Sequence, residues 1–189
     1  MTYCLGLALE EGLVMAADSR TNAGIDYVTT YSKLHGFQPA PDRLCVLLSA
    51  GNLATTQAVL AHIRHELRDN PDCRLCKARY LDEVADYIGT VSREQQNRHT
   101  SGGGVTAGFS PTVSFILGGQ IGNEPAGVHM IYPEGNHITT SLATPFLQIG
   151  EIKYGKPILD RIISPDSSLE DAARCALVSM DSTMQSNVT

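Results

Sequence analysis

The sequence has 189 residues and a formal net charge of −6, which suits one domain with a sizeable core. The acidic balance disfavours nucleic acid or an anionic membrane surface as the main partner. No apolar run approaches the roughly 20 residues of a membrane helix, and we expect no signal peptide. Five cysteines, an odd number without a secretory signal, are typical of free thiols in a reducing cytoplasm.

The chain opens with a predicted β-hairpin. Two apolar runs of strand length, residues 3–9 and 13–17, flank a short polar loop that contains Gly12. The first strand is therefore predicted to begin directly after Thr2, so that a hydroxyl group lies at the start of a buried strand.

The next part of the chain is predicted to be mainly extended. Residues 25–31 are β-branched and aromatic, which favours a strand or an extended loop. Residues 37–43 carry Pro39 and Pro41 and are interpreted as a connection. The continuous apolar run at 44–50 has the length of a buried strand.

Two amphipathic helices are predicted to follow. The first is capped by Asn52 and extends to about Asp69, and the second covers residues 78–98. Both carry apolar side chains at helical spacing on one face. We therefore expect the pair to cover one face of a sheet.

The remaining elements are again grouped by type. The pattern predicts strands at residues 105–109 and 113–121, a hairpin formed by 127–132 and 137–140, a strand that ends at Gly150, a helix over 151–163, and a last helix capped by Ser167 or Ser168. Because strands and helices are segregated, the fold class is predicted to be α+β instead of a doubly wound parallel sheet.

A metal site is one possible interpretation of the histidines and cysteines near the first helix. His62 and His65, followed by Cys73 and Cys76, have ligand types that tetrahedral zinc accepts. The spacing matches no common zinc module, and solvent-facing histidines with loop thiols explain it better. We therefore predict no metal.

Thr2 is a candidate nucleophile. Removal of Met1, which a small second residue favours, gives Thr2 both a hydroxyl and a free α-amine. A threonine hydroxyl needs an adjacent base, and an α-amine with a reference pKa of about 7.7–8.0 suits that role. A nearby Lys33 would lower the amine pKa, and Asp18 would hold Lys33 by an ion pair.

Thr2, Asp18 and Lys33 resemble the threonine, aspartate and lysine of proteasome β-type subunits, which are N-terminal-nucleophile (Ntn) hydrolases. The resemblance is greatest to Anbu, a family of bacterial proteasome homologues. The similar segments are Thr-Tyr-Cys at 2–4, Asp-Ser-Arg-Thr-Asn-Ala-Gly at 18–24 and Ser-Lys-Leu-His at 32–35. The resemblance implies a four-layer αββα sandwich, no cofactor, and one proteasome-type domain over residues 1–189, with further strands beyond residue 189 in the family.

The resemblance also implies roles for residues that bind the substrate. Gly51 follows a predicted strand, where it is either a simple turn glycine or a backbone donor to an oxyanion, and the family uses such a glycine in the second role. Extended substrate would pair with the backbone near Asn22 and Gly51. Leu53 would lie near the first specificity pocket.

Two positions depart from the family pattern. Glu151 stands where the family usually has a serine that contacts the N-terminal amine, and a carboxylate there would raise the amine pKa. Asp181 and Ser182 resemble the supporting aspartate segment, but Met184 replaces its second serine. We expect both departures to weaken the proton-transfer network.

The leading functional prediction is a cytoplasmic bacterial threonine peptidase that cleaves peptides or unfolded proteins within a homo-oligomeric ring or open washer-like assembly. A non-peptidase amide hydrolase on the same fold is an alternative, because a fold does not fix the substrate. A ring-forming structural subunit with little catalysis is another, and Glu151 and Met184 favour it.

Overall fold

The computed structural model describes residues 2–22, 28–100 and 110–186, and at residues 21, 22, 28, 29, 99 and 100 it describes the backbone alone. The strands in chain order are β1 (Tyr3–Leu9), β2 (Gly12–Ala17), β3 (Arg20–Asn22), β4 (Val28–Thr30), β5 (Leu34–Ala40), β6 (Arg43–Gly51), β7 (Val113–Ile121), β8 (Gly127–Ile131), β9 (His137–Thr139) and β10 (Phe146–Gly150). The helices are α1 (Leu53–Asp69), α2 (Arg74–Lys77), α3 (Leu81–Thr100), α4 (Lys156–Ile162) and α5 (Leu169–Ser186).

The first sheet contains the predicted opening hairpin. Its strand order is β10-β1-β2, and both pairings are antiparallel. Leu9 pairs with Gly12 across the tight turn, which confirms the hairpin. Tyr3 pairs with Gly150, so the end of β10 lies beside the start of β1, next to Thr2.

The second sheet has the order β5-β6-β7-β8-β9 and is antiparallel throughout. The predicted strands at 44–50 and 113–121 and the hairpin at 127–140 are confirmed as β6, β7, β8 and β9. The predicted connection over 37–43 is wrong, because most of it belongs to β5. The proline at position 39 is tolerated because β5 is an edge strand whose register shifts between Phe37 and Ala40.

Short and partly described segments complete the comparison of the strands. β3 and β4 form a separate two-stranded sheet, in which Asn22 pairs with Val28. β4 lies within the predicted segment 25–31, whose first residues lie outside the described part of the chain. The predicted strand at 105–109 also lies outside it.

Capping residues or a proline mark the first turns of three helices, α1, α4 and α5. Asn52 accepts a hydrogen bond from the Thr55 N–H at 3.1 Å, which confirms the predicted start of α1. Ser168 Oγ accepts from the Asp171 N–H at 3.1 Å at the start of α5. The predicted helix over 151–163 is too long at its beginning, because α4 begins at Lys156 with Pro157 in its first turn.

Three hydrophobic clusters hold these elements together. One joins α1, α2 and α3 to the five-stranded sheet, with Leu47, Ile63 and Phe115 among its buried members. A second joins α4 and α5 to the three-stranded sheet, and a third, which includes Cys4 and Ile116, joins the two sheets. The fold is thus α+β, as predicted, and the predicted helix pair covers one face of a sheet.

The helices of the described residues include none that is both long enough and apolar enough to cross a membrane.

Candidate active site

Lys33 connects three chain segments at the candidate site. Its ammonium donates to Thr2 Oγ1 at 2.9 Å, to Asp18 Oδ2 at 2.7 Å and to the Arg20 carbonyl at 2.5 Å. An ammonium has three N–H donors, and three acceptors therefore fix its orientation. The structure thus brings together the three residues that the sequence singled out, although they lie up to 31 positions apart.

Asp18 is held by the backbone on both sides. Its Oδ1 accepts from the Tyr3 N–H at 2.8 Å, and its Oδ2 accepts from the Arg20 N–H at 3.0 Å. The Asp18 N–H in turn donates to the Tyr3 carbonyl at 3.1 Å. The hairpin therefore places this carboxylate beside the first residue of β1 with little freedom to move.

The Asp18–Lys33 ion pair is buried, with each residue 6% exposed. Burying two charges is unfavourable unless they are close and their remaining hydrogen-bonding groups are satisfied. Both conditions hold here, because the carboxylate accepts from two backbone N–H groups in addition to Lys33. The arrangement keeps a positive charge in contact with the Thr2 hydroxyl in a site largely shielded from water.

Gly150 and Glu151 fix the Thr2 backbone from the opposite strand. Gly150 has a φ of +87°, and a Cβ there would lie 2.0 Å from the Thr2 carbonyl oxygen. The Glu151 N–H donates to that oxygen at 2.8 Å. The Glu151 side chain accepts from the Lys153 N–H at 3.2 Å. The close approach of Gly150 to Thr2 was not predicted from the sequence. The only signal for it is the position of Gly150 between a strand and a helix, which does not say which residue the glycine contacts.

A cavity of about 270 Å³ lies beside Gly150, which contacts Thr2. Gly51 lines it from the end of β6, together with Thr112 and Val113 at the start of β7. Gly51 has a φ of +124°, and a Cβ there would lie 2.4 Å from the Thr112 carbonyl oxygen, so only glycine fits. Glycines from two sheets thus border one cavity, and one of them, Gly150, contacts Thr2.

The two predicted substrate-binding residues lie on neighbouring elements. Asn22 ends β3, where its backbone pairs with Val28. Leu53 is the first residue of α1 and is half-buried. Leu53 therefore lies two residues beyond Gly51, in the first turn of the helix that follows β6.

Cys4 lies close to the site but is a poor nucleophile. Its side chain is fully buried, and its thiol donates to the Ser49 carbonyl at 3.5 Å. Burial, and secondarily the Asp18 carboxylate, raise the pKa of this thiol to about 12. The thiolate is the reactive form of cysteine, so Cys4 does not compete with Thr2 near neutral pH.

The predicted supporting residues belong to α5. Asp181 is exposed and Ser182 is half-buried, whereas Thr183 is buried and donates to the Ser179 carbonyl at 3.0 Å. Ser179 in turn lies 2.8 Å from the Tyr3 hydroxyl, which ties α5 to the residue next to Thr2. Sequence reasoning did not identify this link between Tyr3 and Ser179.

The histidines and cysteines considered for zinc make other contacts. His62 lies 3.5 Å from Glu66, and Cys73 Sγ accepts from the Cys76 N–H at 3.1 Å. Among the residues that the structure describes, no three His, Cys, Asp or Glu side chains are arranged to hold a metal ion.

Solved structures similar to this chain include Anbu proteins from three organisms. The first is titled Anbu (ancestral beta-subunit) from Yersinia bercovieri, with 43% identity, a TM-score of 0.90, and coverage of 99% of this chain and 76% of that one. The second is titled Helical Assembly of the Anbu Complex from Pseudomonas aeruginosa, with 44% identity, a TM-score of 0.92, and coverage of 99% of this chain and 76% of that one. A third, Anbu from Hyphomicrobium sp. strain MC1, has 45% identity, a TM-score of 0.86, and coverage of 99% of this chain and 77% of that one. No protein-family model and no curated protein matches the chain.

The fold and these similarities place the chain in the class of proteasome-like Ntn proteins. Within that class, the chain belongs to the Anbu family, because the identity extends over nearly its whole length.

Proposed function

We propose that this protein is a threonine peptidase that uses Thr2 as its nucleophile after removal of Met1. The observation that carries the proposal is the contact of 2.9 Å between Lys33 Nζ and Thr2 Oγ1, with Lys33 held by a buried Asp18. A buried cation next to a hydroxyl stabilises the negative charge that forms on the oxygen as it loses its proton.

The reaction follows from the groups around Thr2. The α-amine of Thr2 takes the proton of its own Oγ1 while that oxygen attacks the carbonyl carbon of a peptide bond. The Gly51 N–H would stabilise the oxyanion, and the protonated amine would return the proton to the leaving amine. Water then hydrolyses the resulting ester and restores the free hydroxyl.

The proposal extends to the arrangement around the site. We infer that the three hydrophobic clusters correspond to the contacts of a four-layer αββα sandwich, with Thr2 at one edge between the sheets. We also infer that the protein acts as a homo-oligomer, in line with the helical assembly named for the relative from Pseudomonas aeruginosa. Peptides or unfolded proteins would be its substrates.

Intact mass spectrometry with a covalent threonine-directed inhibitor tests the proposal. Active protein should lack the mass of Met1 and should gain the mass of one epoxyketone or β-lactone molecule. A Thr2→Ala variant is the matched control, because alanine also permits removal of Met1 but supplies no hydroxyl. Fully active protein that retains Met1, or equal labelling of Thr2→Ala, would refute the mechanism.

A further inference from the structure

One wall of the cavity beside Gly150, which contacts Thr2, comes from a part of the chain with no assigned role. Pro133 lines the cavity from the turn between β8 and β9. The other lining residues lie at or next to strand ends: Ala50, Gly51, Thr112, Val113, Ser114 and Gly150. The cavity has a volume of about 270 Å³, and Pro133 is its lining residue from this turn.

The β8–β9 turn is rigid in itself. The Gly135 N–H donates to the Tyr132 carbonyl, and the Tyr132 N–H donates to the Asn136 carbonyl, both at 2.9 Å. Gly135 has a φ of +90°, which favours glycine. Pro133 lies within this closed turn, and its own ring fixes its φ.

Helix α3 packs against the β8–β9 turn through a backbone contact. A Cβ on Gly89 would lie 2.1 Å from the Gly135 carbonyl oxygen, so the helix and the turn touch at a point where no side chain fits. One turn earlier, Asp86 Oδ1 lies 3.1 Å from His137 Nε2 at the start of β9. The two contacts lie three residues apart on α3 and therefore on one face of the helix.

Gln96 provides a further contact two turns along the same face of α3. Its side-chain amide donates to the Pro133 carbonyl at 2.8 Å and to Ser92 Oγ at 3.1 Å. Gln96 is 8% exposed and Ser92 is fully buried. The bond to Pro133 is partly buried, and a hydrogen bond shielded from water fixes a position more firmly than an exposed one, because water replaces it less readily.

We propose that Pro133 determines which substrate side chains enter the cavity beside Gly150, and that Gln96 is the residue that positions Pro133. The proposal rests on the peptidase function inferred above. Removal of the ring, or of the hydrogen bond that holds it, enlarges the cavity on one side. Bulky substrate side chains then bind better relative to small ones, while the reacting groups at Thr2 stay in place.

The test compares inhibitors that share one threonine-directed warhead and differ only in the size of one side chain. We expect Pro133→Ala to raise the ratio of labelling rates, bulky over small, by about tenfold, which is the lower end of the effect of one methylene group in a pocket. Gln96→Leu should move the ratio in the same direction. Lower stability alone would reduce both rates together and leave the ratio unchanged.

Ser92→Ala is the matched control, because it removes the second partner of Gln96 and keeps the bond to Pro133. Its labelling ratio should stay within about twofold of the wild-type value, well below the shift expected for a changed pocket. A wild-type protein that is labelled, with a ratio unchanged in Pro133→Ala and Gln96→Leu, would overturn this inference alone. An equal change in Ser92→Ala would overturn the role of the Pro133 contact. Absence of wild-type labelling would overturn the peptidase function and this inference with it.

Discussion

At the scale of the residue, Lys33 determines what the site can do, since its charge contacts the Thr2 hydroxyl and is largely shielded from bulk water. Lysine offers a compact charge with three donors, and its three acceptors at the site come from two other segments of the chain. Arginine is also cationic, but its charge is spread over a planar fork that does not fit this arrangement.

We predict that Lys33→Ala abolishes labelling of Thr2 by a covalent inhibitor, and that Lys33→Arg restores little of it. Lys33→Ala leaves the buried Asp18 without its cation, so the free energy of unfolding should fall by about 3 kcal/mol. Intact mass and urea unfolding measure the two effects. Lys156→Ala, which removes an exposed lysine paired with Asp160, is the control and should change neither. Normal labelling of Lys33→Ala would contradict the role assigned to Lys33.

Gly150→Ala is expected to inactivate the protein through the backbone. The added Cβ would lie 2.0 Å from the Thr2 carbonyl oxygen, at a φ of +87° that side chains disfavour. Thr2 must then move away from Lys33, and the strain costs about 1–3 kcal/mol. Labelling rate and thermal unfolding are the measurements. Gly36→Ala is the control, since a Cβ there meets no atom within 4 Å; equal labelling of the two variants would exclude this role for Gly150.

The Glu151 side chain sets the predicted pH dependence. Its backbone adjoins Thr2, and a carboxylate near the Thr2 amine raises the amine pKa, so less neutral amine is present at pH 7. Activity should therefore rise between about pH 6 and pH 9, a window around the amine reference pKa. Glu151→Ser should lower the amine pKa and raise activity at neutral pH by up to about tenfold for each pKa unit.

Peptidase rates measured across that window check the prediction. Glu10→Ser, at the exposed turn of the first hairpin, is the control and should keep the wild-type profile. A wild-type rate that does not change with pH would rule out a titrating amine in this range. A Glu151→Ser profile identical to the wild-type one would rule out the influence of Glu151.

The residues of the candidate site differ in how well the sequence reveals them. Thr2, Asp18 and Lys33 were found because their side chains form a pattern that resembles a known family. The contacts of Gly150 with Thr2 and of the Arg20 carbonyl with Lys33 were not predicted, because they involve backbone atoms that every residue type shares. The Tyr3–Ser179 contact joins residues 176 positions apart, a distance at which sequence periodicity carries no information.

At the scale of the element, prediction succeeded where one local signal dominated. The apolar runs of β1 and β6 and the cap of α1 were sufficient to place those elements. The sequence does not reveal β5, because Pro39 and Pro41 are typical of a connection, whereas an edge strand leaves N–H groups unpaired on one side and accepts proline. The early start predicted for α4 failed because Pro157 belongs in a first helical turn.

The N-cap of α1 offers a test at this scale. Asn52 Oδ1 accepts from the Thr55 N–H, and its amide nitrogen donates to the Ser110 carbonyl at 2.9 Å. Asn52→Ala should lower the free energy of unfolding by about 1 kcal/mol, the usual effect of losing a cap. Asn52→Asp keeps the cap acceptor and should lose less.

Urea unfolding of both Asn52 variants measures the difference. Gln57→Ala, at an exposed position in the same helix, is the control and should change stability little. Equal losses for Asn52→Ala and Asn52→Asp would assign the effect to the Ser110 contact instead of the cap.

At the scale of the whole molecule, the packing of the two sheets could not be deduced from the sequence pattern alone. Segregated strands and helices predicted the α+β class, but Cys4 and Ile116 meet between the sheets although they lie far apart in the chain. Contacts of this kind depend on the complete set of side chains, so only the resemblance to a family suggested the order of layers.

The last prediction concerns assembly. Several large apolar side chains of the helices α4 and α5 are exposed, among them Ile162 at 56% and Leu177 at 68%. Burying such area is favourable by roughly 25 cal/mol per Å², so an isolated subunit leaves a source of association energy unused. We therefore expect a homo-oligomer of many subunits, in which Thr2 faces an interior or a groove. Light scattering at several protein concentrations should give masses well above the 20.3 kDa of one chain. Short peptides should then reach Thr2 faster than folded proteins do, and a monodisperse monomer that retains full activity would contradict the prediction.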